Sequence, residues 1–213
     1  FFFKQKTAYE IVMWTGVQTC ALPIYRGTGC DGGRGWSGKP GTAVHGGMMK
    51  KLGVDIGGTK LLILAEDGRT WRFATGIACG PEEIEGHVRA VMAELGGGEF
   101  AWGIAVPGLV GRDGSVVACD VLPKLDGWRP GEVFPGAAVM NDVDGALVGM
   151  ASGERPDATI AVVGSGTGIA AAIQVGGVRL RTLRPFAGEL GDVPCGLNGT
   201  LDDRAAGAVV ART

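Results

Sequence analysis

Two short apolar runs, Leu52 to Ile56 and Leu61 to Ala65, are joined by Gly57-Gly58-Thr59-Lys60. The same layout recurs where Thr159 to Val163 passes through Gly164-Ser165-Gly166-Thr167-Gly168 into Ile169 to Val175. Apolar runs of this length joined by a glycine turn are β-hairpins, with glycine able to take positive φ in the turn. The first turn also follows an acid, Asp55, and carries a hydroxyl and a lysine, the composition of a backbone loop that approaches a phosphate. It is not a Walker loop, which spaces its residues Gly-x-x-x-x-Gly-Lys-Ser/Thr and leads into a helix. The alternative is a tight turn with no further role. In the second turn Ser165 and Thr167 add hydroxyl donors to the backbone amides.

The 213 residues, 46% hydrophobic and 20% charged, are enough for one large or two small globular domains. The 40 glycines follow no Gly-X-Y period, so they serve turns, loops and close packing. A formal net charge of −2 makes no electrostatic case for nucleic acid or an anionic membrane as partner. No apolar run is long enough to span a bilayer. Cysteines 20, 30, 79, 119 and 195 are odd in number and irregularly spaced. They read as free thiols, and a cytoplasmic location is expected.

The first residues stand apart. Phe1 to Ile11 and Thr15 to Ile24 resemble, in order, the translation of a sequencing adapter, and Gln18-Thr19-Cys20 interrupts what would be a signal peptide's apolar stretch. Tyr25 to Gly47 is glycine-rich without helical or strand period. Residues 1–48 are therefore expected to be a non-native or disordered leader, with the natural start at Met48 or Met49. An N-terminal domain is expected over 49–153, and the start of a truncated C-terminal domain over 154–213.

Along the chain, Thr70 to Thr75 extends the first hairpin into a meander. Pro81-Glu82-Glu83 opens a helix with the stripe Ile84, Val88, Val91, Met92 and Leu95. His87 lies off that stripe and reads as solvated. Ala101 to Pro107 is a buried strand ended by Pro107-Gly108, and strand ends in α/β sheets face ligands. Ser115 to Cys119 is a short strand, and Leu122 to Pro130 an irregular loop carrying Lys124, Asp126 and Trp128. Ala137 to Met140 delivers Asn141-Asp142 to the start of a helix over 143–152, where Asp142 would also serve as an ordinary N-cap. Arg179, Arg181 and Arg184 read as a solvated strand face. Phe186 to Asp192 places Glu189 and Asp192 in a glycine-flanked loop, and a helix is expected from Leu201.

In this order, Asp55-Ile56-Gly57-Gly58-Thr59-Lys60, Pro107-Gly108, Asn141-Asp142, Gly164-Ser165-Gly166-Thr167-Gly168 and Gly188-Glu189-Leu190-Gly191 resemble the ROK family of bacterial sugar kinases, glucokinase-like members included, from Met49 to Gly207. The resemblance implies an α/β, ribonuclease-H-like fold of the actin/Hsp70/hexokinase type, here the first domain plus the truncated start of the second. It implies ATP-dependent phosphorylation of a hexose hydroxyl, with ATP and Mg²⁺ as cofactors. Asp142 would be the general base. Asp55 would help to hold the Mg²⁺ of the nucleotide, with Gly57, Gly58, Thr59, Lys60, Gly166 and Thr167 on the phosphates. Pro107, Gly108, Asn141, Glu189 and Asp192 would line the sugar. The partners implied are sugar and ATP, with the full-length protein a homodimer.

This chain departs from the family pattern in places. Asp192 stands where members usually have a histidine that is both sugar contact and zinc ligand. In the family's zinc segment Pro194 and Thr200 replace cysteines and only Cys195 remains, so no zinc is expected, since a structural site needs about four N/S ligands. Lys124 stands where many members have Asn, and a compensating Lys124–Asp192 pair is conceivable. Family members are longer than the stretch from Met49. The chain as given is therefore expected to bind ATP poorly, to expose apolar sheet surface and to turn over little. A ROK-type sugar-responsive repressor and a non-catalytic sugar-binding member are the alternatives. The former is disfavoured because residues 25–48 show no basic helix.

Overall fold

The structure, a computed structural model, describes residues 50–165, 168–180, 188–196 and 199–205. The expected leader, Gly166-Thr167 of the second glycine turn, Arg181, Arg184 and Phe186 lie outside them.

Strands β1 (Lys50–Ile56), β2 (Lys60–Ala65) and β3 (Thr70–Ala74) form the expected antiparallel meander. β4 (Phe100–Val106) pairs parallel to β1, and β7 (Ala138–Asn141) parallel to β4, giving the mixed sheet β3-β2-β1-β4-β7. Between them β5 (Leu109–Val110) and β6 (Val116–Ala118) make a small hairpin. Helix α1 (Pro81–Glu94) starts with proline and two acids in its first turn, where neither disturbs the helix. Its Ile84, Val88 and Val91 join a core with Leu52, Val54 and Ile56 of β1, Leu61 and Ile63 of β2, and Trp102 and Ile104 of β4. These strand residues alternate along their strands, so they share one face. Helix α3 (Asp142–Ala151) follows β7, with α2 (Pro130–Val133) preceding that strand, and Gly145 of α3 packs over Ala105 and Met140.

A second sheet follows, ordered β10-β9-β8 and antiparallel, from β8 (Ile160–Ser165), β9 (Ile169–Val175) and β10 (Val178–Arg179). Gly176 and Gly177 turn between β9 and β10 at φ 56° and 78°, a region costly for other residues. Helix α3 packs on β8 and β9. The other face leaves Val163, Ile173, Val175 and Val178 exposed, Val163 by 63%, which is the apolar sheet surface expected from the sequence. Helix α4 (Asp202–Ala205) begins one residue later than expected. Among the described residues no helix is long and apolar enough to cross a membrane.

Three sequence expectations change. The stretch from Leu122 to Pro130 is a packed segment, not an irregular loop: Pro123–Leu125 is a 3-10 turn, Leu122 and Leu125 are fully buried, and Trp128 donates from Nε1 to Glu85 Oε1 at 3.0 Å. Leu125→Ala is accordingly expected to cost about 2–5 kcal/mol in urea unfolding. His87 is not simply solvated, because its ring stacks on Phe73 at 4.0 Å between centroids. Arg179 is not on a solvated face either. Its side chain is 16% exposed and reaches Asp144 of α3 at 3.5 Å.

Candidate active site

Three parallel strands end side by side, each delivering a candidate residue. Asp55 of β1 pairs in register with Ala105 of β4, and Val106, just before Pro107-Gly108, with Asn141 of β7. Ligands of open α/β sheets bind at this carboxyl edge. Burial pushes the Asp55 carboxyl up to about 6, the Asp142 charge adds to the shift, and Lys60 opposes it. Asp142 is also raised, chiefly by desolvation, with Asp144 adding and the Val143 amide opposing. Yet Asp142 keeps solvent-exposed surface. Asp142 is thus crowded by protein and still open to water.

The N-cap of α3 is Asn141, not Asp142. Asn141 Oδ1 accepts from Val143 N at 2.9 Å, while Asp142 occupies the first helical position and accepts from the same amide at 2.7 Å. The Asn141 amide also donates to Gly108 O at 2.9 Å, and the Cys119 thiol to Pro107 O at 3.1 Å. One side chain thus ties the Pro107-Gly108 turn to the start of α3. Asn141→Ala is expected to lose both bonds and about 1–2 kcal/mol, read as a lower urea midpoint.

The first glycine turn differs from expectation in mechanism. Neither Gly57 nor Gly58 is among the positive-φ glycines. Glycine is needed at 58 for space, because a Cβ there would strike Val121 Cγ1. Gly57 N donates to Lys60 O at 2.8 Å, and Thr75 Oγ1 donates to Gly57 O at 2.6 Å. Thr75 and Val121 were not singled out from sequence, since neither lies in a motif. Among the described residues, the Gly58 and Thr59 amides donate no backbone hydrogen bond, so both are available to an anion. Gly58→Ala is expected to destabilise by about 1–3 kcal/mol from overpacking. Adding Val121→Ala should recover most of that, and a double-mutant cycle showing no coupling would remove the clash as the cause.

Glu189 sits in the loop between β10 and a 3-10 turn, Leu190–Asp192, and this loop is held to the second sheet by Ala171 N donating to Gly188 O at 2.7 Å. Burial raises its carboxyl, and Asp192, Asp142, Asp202 and Asp120 raise it further. The influence of Asp142, at the carboxyl end of β7, puts Glu189 near the first sheet's carboxyl edge. Among the described residues no ion pair joins Lys124 to Asp192, and Lys124 instead lies along Gly80. Gly166 and Thr167 are outside the described residues. The structure thus brings Asp55, Pro107-Gly108, Asn141-Asp142 and Glu189 near one another.

No family model matches the chain. Among curated proteins it is similar to kanosamine kinase of Amycolatopsis mediterranei (strain S699), 30% identical over 183 residues that span 76% of this chain and 60% of that protein. Among solved structures it matches a ROK family glucokinase from Streptomyces griseus in complex with glucose and AMPPNP, at a TM-score of 0.61 and 26% identity, over 76% of this chain and 59% of that one. In sequence and fold the chain resembles ROK family sugar kinases. The fold is shared with an inorganic polyphosphate/ATP-glucomannokinase from Arthrobacter sp. strain KM, at a TM-score of 0.62 and 23% identity, over 77% of this chain and 71% of that one. The chain spans about 60% of the length of the curated relative it matches.

Proposed function

We propose that this chain is a member of the ROK family and carries the sugar side and part of the phosphate side of an ATP-dependent hexose kinase. The observation that carries the reading is Asp142: a partly desolvated carboxylate that keeps solvent-exposed surface and is held at the first turn of α3 beside Asp55. Phosphoryl transfer asks the protein mainly for positioning and charge neutralisation. Asp142 is placed to accept the proton of the attacking hydroxyl, which requires direct hydrogen-bond reach in the complex. Gly57, Gly58, Thr59 and Lys60 would hold the nucleotide's phosphates, the open amides of Gly58 and Thr59 and the lysine charge supplying donors, with Gly166 and Thr167 opposite.

The donor set suits Mg²⁺. Asp55 and its neighbour Asp142 give two carboxylates without a full protein cage, and Mg²⁺ ordinarily takes one or two carboxylates and completes its shell from phosphate and water. When bound it would neutralise phosphate charge, and Asp55 is the residue that would hold it. Pro107, Gly108, Asn141, Glu189 and Asp192 would line the sugar. The zinc of the family does not fit here, since Cys195 is the one thiol left in its segment. The name of the curated relative supports a kinase over a sugar-responsive repressor.

The carboxylates around Glu189 also favour a sugar bearing an ammonium group, because a cation there offsets their mutual repulsion. The test is ADP release by the protein expressed from the source gene, coupled to a panel of hexoses, amino-hexoses and N-acetylhexosamines. Sugar-dependent ADP release is expected, with an amino-hexose turned over at lower KM than its parent hexose. ADP release that no sugar stimulates would remove the kinase reading, and a preference for the neutral parent would remove the amino-hexose one.

A further inference from the structure

The first glycine turn is held from outside by a residue that belongs to no motif. Thr75 directly follows β3, the edge strand of the five-stranded sheet. Its Oγ1 donates to Gly57 O at 2.6 Å, and its N donates to Thr59 O at 3.1 Å. Those carbonyls lie on either side of Gly58, so Thr75 brackets the middle of the turn. Gly57 N is committed as well, donating to Lys60 O at 2.8 Å. Val121 fills the space where a Cβ at 58 would stand. The turn is thus tied along its backbone and packed at its centre.

The hydroxyl contact carries a direction. A peptide unit is planar and trans, so the Gly57 C=O and the Gly58 N–H lie antiparallel in one plane. Fixing the carbonyl on Thr75 Oγ1 therefore fixes the Gly58 N–H, which points away from Thr75. That amide donates no backbone hydrogen bond among the described residues. Glycine has the widest backbone freedom of any residue, so a peptide between two glycines rotates readily unless something outside it holds it. Ordering a donor only when its ligand arrives costs affinity, and a donor held beforehand avoids that cost.

We propose that Thr75 is a positioning residue for the nucleotide's phosphates, its hydroxyl holding the Gly57–Gly58 peptide so that the Gly58 N–H is presented to a phosphate oxygen. The identity of the anion rests on the kinase reading; the mechanism rests on the hydrogen bonds of the turn. Thr75 acts through that backbone and touches neither phosphate nor sugar. Its essential group is the hydroxyl. Ser keeps the donor, Val keeps the shape of Thr without it, and Ala keeps neither. All three retain the backbone N–H at position 75, and with it the bond to Thr59 O that continues the β2–β3 pairing.

The test uses protein expressed from the source gene and compares wild type, Thr75→Ser, Thr75→Val and Thr75→Ala. Each is titrated calorimetrically with Mg·ATP and with the best-bound hexose or amino-hexose, and followed by steady-state kinetics. Thr75→Val and Thr75→Ala are expected to weaken ATP binding and raise its KM by roughly three- to tenfold, the range of one net hydrogen bond. Thr75→Ser, which keeps the donor, should stay within about twofold of wild type. Sugar affinity and kcat should change by less than about twofold in all three, a split that general loosening of the fold would not produce. Unchanged ATP affinity in Thr75→Val and Thr75→Ala would overturn the assignment, as would a Thr75→Ser variant as impaired as Thr75→Val, or equal losses for ATP and sugar. Any of these in a wild type that phosphorylates sugar would leave the kinase reading standing without Thr75. A wild type that binds Mg·ATP with the expected serine-rescued loss but phosphorylates no sugar would support Thr75 and count against the kinase reading alone. A wild type that binds no Mg·ATP would overturn both.

Discussion

Replacing Asp142 by Asn is expected to slow phosphoryl transfer by about 10²- to 10⁴-fold, the range that a positioned acid or base contributes, while hexose affinity stays within a few-fold of wild type. The substitution keeps the side chain's shape and removes only its basicity. The structural role of Asp142 is small, because Asn141 already caps α3 and accepts from the same Val143 amide. The carboxyl is raised above its ordinary value by desolvation, with Asp144 adding and the Val143 hydrogen bond resisting. The acid limb of the wild-type rate profile should therefore lie above the usual aspartate range, and that limb should be absent from the residual rate of the variant. Steady-state kinetics and calorimetric hexose titration on the same preparations separate the two effects. A variant that loses binding and rate together would make Asp142 a ligand, not a base.

Asp55→Asn is expected to raise stability. Burial and the Asp142 charge raise the Asp55 carboxyl from 3.8 to about 6, so ionised Asp55 is a strained group in the folded protein. Two pKa units correspond to about 3 kcal/mol, and partial exposure makes about 2–3 kcal/mol the expected gain near neutral pH. The sign follows from linkage. The folded pKa lies above the unfolded one, so this group's favourable contribution is full below about pH 4 and is lost as pH rises through about 6. The difference between Asn and Asp proteins in urea unfolding should accordingly be small near pH 4, grow between 4 and 6, and level off above. A difference that is flat with pH would contradict the electrostatic account. If Asp55 holds Mg²⁺ with the nucleotide, the stabilised variant should also lose its ATP-dependent gain in melting temperature, a trade of stability for function.

The sheet was legible because its signals are local. Alternating apolar residues around Gly57 to Lys60 and around Gly164 to Gly168 specify hairpins whatever the rest of the chain does, and Ala101 to Val106 is too uniformly apolar to be anything but a buried strand. The site was legible where a motif sits at a strand end, as with Asp55, Pro107-Gly108 and Asn141-Asp142. What was not legible depends on contacts distant in sequence. Glycine at 57 and 58 suggested positive φ, whereas the requirement at 58 is the approach of Val121, a residue in no motif. Thr75, which holds the Gly57 carbonyl, and Asp202, which holds the Ile169 amide, carry no local mark either.

The stretch from Leu122 to Trp128 was missed for another reason. It is too short for a period to show, and its Leu122, Leu125 and Trp128 spacing is read as core only once β6 and α1 are in place. The cap at Asn141 and the Thr200–Asp203 capping box did leave signals. Asn is as good an N-cap as Asp, and Thr-x-x-Asp before a helix is close to a known start signature. The conceivable pairing of Lys124 with Asp192 is not made among the described residues, where Lys124 lies along Gly80 at the head of α1.

The central claim is that the three parallel strand ends and the Glu189 loop assemble a site for phosphoryl transfer to a sugar. Its most direct test is a single-turnover experiment with excess protein from the source gene, ATP labelled in the γ-phosphate, Mg²⁺ and the best-bound hexose or amino-hexose, with products separated by mass. The account predicts one labelled sugar phosphate per ADP in wild type and neither product from Asp142→Asn on the same timescale. Sugar bound tightly with no labelled sugar phosphate from wild type would contradict it.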